Sequence, residues 1–341
     1  MLYFDCDYNN GAHPEVLRRL IETNGERLPG YGADRYTESA GEKLRAACAC
    51  PQAQITLLTG GTQTNAIVIA SLLRDWEGVV AADTGHVSVH EAGAIEYTGH
   101  KVLSVPQKDG KLSAAALEKY LSAFEQDANR EHMVFPGLVY ITHPTEYGTL
   151  YTKAELEALA RVCRGHHLPL YLDGARLAYA LASHETDVTL PDIARLCDVF
   201  YIGGTKAGAL CGEAVVFTRN NCPPHFMNAV KKRLGLMAKG RVLGVQFDAL
   251  FTDDLYLRIG RHVIAMAERM KEILHEKGLT FALESPTNQQ FILMADSELA
   301  RIRDRVCVDL WEKADETHTV VRFCTSWATT EEELEALRAI L

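Results

Sequence analysis

The stretch YIGGTKAGALCGEA, from Tyr201 to Ala214, places a single lysine among glycines, alanines and other small residues. The apolar runs on either side of it, DVFYIGG and EAVVFT, are typical of core strands. Lysine is rarely buried. Lys206 is therefore either a turn residue whose ammonium reaches water or a residue that is required for its amine. A partly desolvated lysine has a lower pKa and can attack carbonyl groups as a nucleophile.

Similar apolar runs recur upstream and alternate with segments of helical periodicity. In one such segment, TKAELEALARVCRGHH, Thr152 and Glu155 predict a capping box at the start of a helix. Strands that alternate with helices indicate an α/β fold with a mostly parallel sheet. The apolar runs are QITLLTGG, GVVAAD, KVLSVP, GLVYITHP and LPLYLDGAR.

The pattern changes after about residue 220, where a long helix-rich segment precedes the strand candidates FALESP, QQFILMA and VVRFCTSW. We therefore predict a large α/β domain over residues 1–250 and a smaller α+β domain over residues 251–341. The N-terminal segment of the large domain is a candidate to pack on the small one.

Composition narrows the class of protein. The 341 residues are 47% hydrophobic and 23% charged, and the formal net charge of −10 argues against a general nucleic-acid binder. No run is long enough to span a membrane, and the first residues lack the basic region of a signal peptide. The nine cysteines contain no C-x-x-C pair, which argues against a structural zinc site and predicts reduced thiols in a cytoplasmic protein.

Polar residues follow five of the predicted strands. In a mostly parallel sheet, ligands bind outside the carboxyl ends of the strands, so these side chains should converge on one edge. That convergence predicts a ligand site. The sets are Gly61, Thr62 and Asn65; Asp83 and His86; Thr142 and His143; Asp173 and Arg176; and Thr205 and Lys206.

Two of these sets suggest the ligand. The turn GGTQTN opens a helix, where free backbone N–H groups attract anions. It matches neither a P-loop nor G-x-G-x-x-G, so it suits a single phosphate. Asp173 ends an apolar strand, either in a structural pair with Arg176 or as the partner of a protonated ring nitrogen. Together with Lys206, these features meet the needs of pyridoxal phosphate.

In the order of its motifs, nearly the whole chain resembles the low-specificity L-threonine aldolase and β-eliminating lyase family of fold-type I pyridoxal-phosphate enzymes. The most specific match is LDGARL, followed roughly thirty residues later by the lysine turn. The resemblance implies a lyase that cleaves the Cα–Cβ bond of small β-hydroxy amino acids, turning threonine or allo-threonine into glycine and acetaldehyde. It also implies a homodimer or homotetramer.

The resemblance also implies roles for individual residues. Lys206 would bind the cofactor carbonyl, and Asp173 would hold the ring nitrogen protonated. A base for the β-hydroxyl proton would be His143 or His86, although His143 could instead be a structural histidine bonded to a loop carbonyl. His90 is expected to be structural. The remaining carried-over residues are Gly61, Thr62 and Thr205 at the phosphate; His86 stacked on the ring; Arg176 with the cofactor and the substrate; Arg322 and Asn10 (or Asn9) with the substrate; and Lys239 reaching a neighbouring subunit's phosphate.

Three alternatives stay open on the sequence alone. The same cofactor could support β-elimination or transamination, in which the decisive proton is on Cα. A chain of this fold could also be a scaffold that has lost its cofactor, although Asp173, Arg176 and Lys206 are all present.

Overall fold

The computed structural model describes all residues from 1 to 341. Its strands are β1 (Leu2–Tyr3), β2 (Gln54–Leu58), β3 (Glu77–Ala82), β4 (Val102–Val105), β5 (Phe135–Thr142), β6 (Leu170–Asp173), β7 (Val199–Gly203), β8 (Glu213–Phe217), β9 (Thr280–Leu283), β10 (Gln289–Ala295), β11 (Val306–Cys307), β12 (Asp309–Lys313) and β13 (His318–Cys324).

The helices are α1 (Pro14–Thr23), α2 (Arg35–Ala47), α3 (Gly61–Leu72), α4 (His86–Val89), α5 (Ala94–Tyr97), α6 (Ala114–Gln126), α7 (Lys153–Gly165), α8 (Leu177–Ala182), α9 (Leu190–Leu196), α10 (Phe226–Lys232), α11 (Arg241–Leu250), α12 (Leu255–Glu276), α13 (Asp296–Ile302) and α14 (Glu331–Ile340), with one 3-10 turn at Arg130–His132. The predicted capping box of Thr152 and Glu155 is present at the start of α7. None of the helices combines the length and the apolar composition that a membrane span requires.

Seven strands form the central sheet in the order β2-β8-β7-β6-β5-β3-β4. Strands β3 to β7 pair in parallel, whereas β8 is antiparallel to both of its neighbours. Along β5, Leu138 and Tyr140 face one apolar cluster while Val139 and Ile141 face the other. Because both faces of the sheet are covered, the strands are nearly continuous apolar runs. The predicted α/β fold with a mostly parallel sheet is confirmed.

A smaller antiparallel sheet follows, in the order β12-β13-β10-β9. Its edge strand β12 carries no strand signal in the sequence, because DLWEK is polar and mostly exposed. Strand β1 pairs in parallel with β11, which brings the N-terminal segment beside this sheet.

Helix α12 contributes to two apolar clusters. Its first half, including Ile259 and Val263, packs in the cluster of the central sheet. Its second half, including Met270 and Leu274, packs in the cluster of the small sheet. The boundary at residue 250 stays a prediction.

The strand ends define the edge at which the site is built. Thr142 pairs with Asp173 across β5 and β6. Because β8 runs antiparallel, its first residue, Glu213, lies at the same edge and pairs with Gly203 and Leu58.

Candidate active site

A cavity of about 390 Å³ lies at this edge of the central sheet and extends to the small sheet. Loops that follow strands of the central sheet supply Lys206, Arg176 and the two histidines. The opposite wall comes from the N-terminal segment and from strands β12 and β13, which include Arg322. The lining residues are Tyr8, His86, His90, Glu146, Arg176, Lys206, Asp309, Leu310, Trp311 and Arg322.

Lys206 lies in the loop that joins β7 to β8. Burial, and then the nearby Arg176 cation, lower the pKa of its ammonium, so the neutral amine is favoured relative to a lysine in water. Its backbone carbonyl accepts a hydrogen bond of 2.5 Å from Tyr179. The small residues around it are required, because a Cβ on Gly204 would lie 2.8 Å from the carbonyl oxygen of Gly212.

Glu213 was not predicted from the sequence to be a site residue. Its carboxyl group accepts hydrogen bonds from the loop that carries Lys206. Its Oε1 accepts a hydrogen bond of 2.7 Å from the hydroxyl of Thr205, and its Oε2 accepts one of 3.2 Å from the N–H of Gly204. Burial raises the pKa of this carboxyl to about 8, despite the hydrogen bond from Thr205. The only sequence signal was an acidic residue at the start of an apolar strand. Thr205 is thus oriented towards Glu213.

Asp173 is almost fully buried at the end of β6. Its Oδ2 accepts hydrogen bonds from Tyr140 (2.7 Å) and Asn65 (2.9 Å), and its Oδ1 accepts one from the N–H of Ala175 (3.0 Å). The alternative of a structural pair between Asp173 and Arg176 is therefore wrong, since Arg176 pairs with another carboxylate.

That carboxylate is Asp7, which was not identified in the sequence. Arg176 donates to it from Nε (2.6 Å) and from Nη2 (3.1 Å), and the amide of Asn288 donates to the same carboxylate at 2.9 Å. Arg176 still lines the cavity. The other predicted arginine, Arg322, lines it from β13 and lies 5.1 Å from the ring of Trp311.

His86 belongs to a buried polar network. Its Nδ1 lies 2.9 Å from Oε1 of Glu91, and the same oxygen accepts a hydrogen bond of 2.7 Å from Asn65. Asn65 also donates to Asp173, so it connects the histidine to the aspartate. With its Nδ1 held by Glu91, His86 presents Nε2 and a ring that is about one-third exposed.

The predicted phosphate turn lies at the same edge as Lys206. Helix α3 begins after Gly60, which caps it without a side-chain hydrogen bond, so the N–H groups of Gly61 and Thr62 have no partner within the protein. A Cβ on Gly61 would lie 3.1 Å from the hydroxyl of Tyr201. Hydrogen bonding of Asn65 to Asp173 fixes this helix beside β6.

The structure does not bring His143 to the cavity. Successive strand residues point to opposite faces, and because the Thr142 hydroxyl bonds Glu146 beside the cavity (2.8 Å), His143 points away from it. His143 is fully buried, its Nδ1 accepts a hydrogen bond of 3.3 Å from the backbone N–H of Tyr151, and burial lowers its pKa to about 4. Its assignment as a base is therefore corrected to a structural one.

Asn10 and Lys239 also lie outside the cavity. Asn10 accepts a hydrogen bond of 3.3 Å from Ser326 in a neighbouring pocket, and Tyr8 is the residue of that segment that lines the cavity. Lys239 is exposed and lines a separate pocket with Arg27. Its contact with a neighbouring subunit's phosphate stays a prediction.

Several residues that line the cavity had not been assigned to the site from the sequence. His90 was expected to be structural, but it follows His86 by four positions and lines the same cavity. Burial, and then the charges of His86 and Arg322, lower the pKa of His90, and its ring forms no side-chain hydrogen bond. Glu146 lies three residues after His143, and only the fold of the turn after β5 shows that it lines the cavity.

Comparisons with known proteins agree with this architecture. The family model described as beta-eliminating lyase matches residues 18–297. The low specificity L-threonine aldolase of Pseudomonas aeruginosa is 28% identical over 305 residues, which cover 89% of this chain and 87% of that protein. The structure of the threonine aldolase of Leishmania major superposes with a TM-score of 0.96 at 42% identity, covering 100% of this chain and 98% of that one.

A more distant structure, an aspartate aminotransferase double mutant of Thermus thermophilus, shares the fold with a TM-score of 0.70 at 16% identity, covering 100% of this chain and 92% of that one. The family model spans most of the chain, and the likeness to the Leishmania protein spans all of it. The chain therefore belongs to the beta-eliminating lyase family.

Proposed function

We propose that this protein is a pyridoxal-phosphate-dependent lyase that cleaves the Cα–Cβ bond of β-hydroxy amino acids, converting threonine or allo-threonine into glycine and acetaldehyde. One observation carries the proposal. The amine of Lys206, whose pKa is lowered, shares a cavity with two arginines and two histidines. The names of the relatives from Leishmania major and Pseudomonas aeruginosa support the same activity.

The residues of the site fit the cofactor. The unpaired N–H groups at Gly61 and Thr62 suit one phosphate, Asp173 suits a protonated ring nitrogen, and the amine of Lys206 suits the carbonyl. His86 would stack on the ring, held by Glu91. When bound, the cofactor would accept the electron pair that the broken bond leaves on Cα.

The protein would orient the substrate through its carboxylate. Arg322 and Arg176 both line the cavity, and a guanidinium binds a carboxylate best in a two-point fork. Fixing the carboxylate sets which bond at Cα stands perpendicular to the cofactor ring, and this orientation selects the bond that breaks.

The β-hydroxyl proton would go to a ring nitrogen of His90. With its lowered pKa, this imidazole is neutral near pH 7, and it has no other hydrogen-bond partner. As the proton leaves the hydroxyl oxygen, the Cα–Cβ bond breaks and the β-carbon departs as an aldehyde. His86 is less available, because Glu91 already holds its Nδ1.

The decisive experiment is product analysis with the purified protein and pyridoxal phosphate. We expect glycine and acetaldehyde in equal amounts from threonine and allo-threonine. Formation of 2-oxobutyrate from threonine or pyruvate from serine as the main product would favour elimination. A requirement for a keto-acid acceptor would favour transamination.

We further propose that the active form is a homodimer or a homotetramer in the cytoplasm. Exposed Lys239 would serve a neighbouring subunit, and the nine cysteines form no disulfide, which suits a reducing compartment. Light scattering of the loaded protein tests the assembly. A fully active monomer would contradict it.

A further inference from the structure

The two arginines of the cavity have carboxylate partners that differ in exposure. Asp7, the partner of Arg176, has a side chain that is 0% exposed and contacts it at two points. Asp309, the partner of Arg322, has a side chain that is 39% exposed, and it approaches the guanidinium without a directed hydrogen bond. A fully buried pair is costly to open, whereas a half-exposed carboxylate can move into water at little cost.

Asp309 contacts the nitrogen of Arg322 that a bound substrate carboxylate would need. Its Oδ2 lies 2.9 Å from Nη2 of Arg322. A carboxylate can engage a guanidinium in a two-point fork either through Nη1 and Nη2 or through Nε and Nη2. Asp309 sits on the one nitrogen that both forks require.

The hydrogen bonds of Arg322 go to groups other than Asp309. Nη1 donates to the side chain of Gln289 (2.8 Å) and Nη2 donates to the backbone carbonyl of Asp5 (3.3 Å). Nε is buried without any partner. These contacts fix the guanidinium in the cavity wall, so its position does not depend on Asp309.

Asp309 reaches this place because of strand pairing. It lies directly opposite Arg322 in the ladder between β12 and β13. The next two residues, Leu310 and Trp311, also line the cavity, and a register irregularity follows between Leu310 and Glu312. A cross-strand ion pair alone would contribute only modestly to the sheet.

We propose that Asp309 occupies the carboxylate-binding position on Arg322 until a substrate arrives, and that the substrate binds by exchanging its own carboxylate for that of Asp309. The proposal rests on the proposed function insofar as Arg322 receives the substrate carboxylate. After the exchange Asp309 remains in the cavity wall, where its charge repels a second anionic group. The site therefore selects amino acids with an uncharged side chain over those with an acidic one.

The test measures binding without chemistry. The protein loaded with pyridoxal phosphate is titrated by calorimetry with butyrate and with succinate, which have four carbons each but one and two carboxylates. Asp309→Asn should bind butyrate about three- to tenfold more tightly than the wild type, and succinate should gain by a larger factor. The control Glu312→Gln removes a charge from an exposed position of the same strand and should leave both affinities unchanged.

Kinetics provide a second measurement. In Asp309→Asn the KM for threonine should fall by a similar factor while kcat stays within about twofold, as expected for a change in substrate binding alone. A purely structural role for Asp309 predicts the opposite, a higher KM together with a lower unfolding temperature.

The variant Arg322→Lys distinguishes a failure of the exchange proposal from a failure of the proposed carboxylate site. If this variant loses butyrate binding but Asp309→Asn binds no more tightly than the wild type, the exchange is wrong and the carboxylate site stands. If Arg322→Lys binds butyrate as well as the wild type, Arg322 is not the carboxylate site, and both the exchange and that part of the proposed function are wrong.

Discussion

Asp7 and Arg176 form a buried two-point ion pair that joins the N-terminal segment to the loop after β6, with Oδ2–Nε at 2.6 Å and Oδ1–Nη2 at 3.1 Å. Burial alone would raise the pKa of Asp7, but the cations of Arg176 and Lys206 hold it at about 2. The pair thereby fixes Arg176 in the cavity wall. Arg322, in contrast, has the exchangeable partner Asp309.

Asp7→Asn should destabilise the protein by about 3–5 kcal/mol, because it leaves Arg176 buried without its counter-charge. A native pKa below the unfolded value gives stability that is present above about pH 4 and is lost as the pH falls towards 2. Urea unfolding between pH 3 and pH 7 should show this loss in the wild type and not in the variant. Asp5→Asn, two residues away, is the control and should change stability by less than about 1 kcal/mol.

Borohydride reduction of the loaded protein should attach the cofactor to the peptide that contains Lys206, because this is the cavity lysine whose amine is favoured by a lowered pKa. Peptide mass spectrometry identifies the site. Lys206→Ala should lose the attachment and the visible absorbance, whereas Lys277→Ala, at the C-terminal end of α12, should keep both. Attachment to any other lysine in the wild type would overturn the assignment.

Asp173→Asn keeps the shape of the side chain but removes the charge that would hold the ring nitrogen protonated. We expect the cofactor to remain bound and turnover to fall about 10²–10³-fold, the size of a lost electrostatic contribution in a buried site. Absorbance spectra and the rate of acetaldehyde release measure the two effects. The control Asp83→Asn alters an exposed carboxylate just after β3 and should keep normal turnover. Near-normal turnover in Asp173→Asn would exclude the pyridinium role.

His90→Asn should slow cleavage of threonine about ten- to a thousandfold, since it removes the base for the β-hydroxyl proton. Elimination from β-chloroalanine, where the decisive proton is on Cα, should change much less. Because the neutral imidazole is the active form and its pKa is lowered, the wild-type rate should decline only below about pH 6.5, and the variant should lack this decline.

His143→Asn is the matched control for His90→Asn, because it makes the same chemical change outside the cavity. It should leave the ratio of the two rates unchanged, although the loss of the bond from Tyr151 lowers stability. A selective loss of threonine cleavage in this variant would restore His143 as the base.

Glu213→Gln should become more stable than the wild type as the pH rises. A carboxyl whose native pKa is raised to about 8 gives stability that is present below its unfolded pKa and is lost as the pH rises towards 8. Glutamine resembles the protonated form and avoids this loss. Without cofactor, the difference in unfolding free energy should be near zero at pH 5 and grow by about 1 kcal/mol per pH unit up to pH 8. A constant difference would contradict the raised pKa.

The sequence was sufficient for the fold and for the chemistry-bearing residues that end strongly apolar strands. Lys206 and Asp173 could be located because each follows a strand whose burial is obvious from its composition. The stacking role of His86 came from the resemblance to the family and stays a prediction. Where a strand is a continuous apolar run, its position in the sequence can be recognised. Because parallel strands end at the same edge of the sheet, the side chains that follow them are expected to meet there.

The rest of the cavity wall depends on pairings that no local pattern encodes. Asp309 and Trp311 lie on an edge strand of polar composition, and Tyr8 lies in a segment without regular structure. The error at His143 has a different cause. It shares a motif with Thr142, but neighbouring residues at a strand end face opposite sides of the sheet, so only one of the two reaches the cavity.

The sharing of α12 between two clusters sets the order in which a nascent chain can complete its interior. The 47-residue cluster of the central sheet includes Ile264, so it cannot close until the first half of α12 has left the ribosome. Strand β1 is synthesised first, yet its partner β11 ends at Cys307. Tyr8 is therefore among the first residues made and among the last to reach its place, and the cavity can form only when almost the whole chain has emerged.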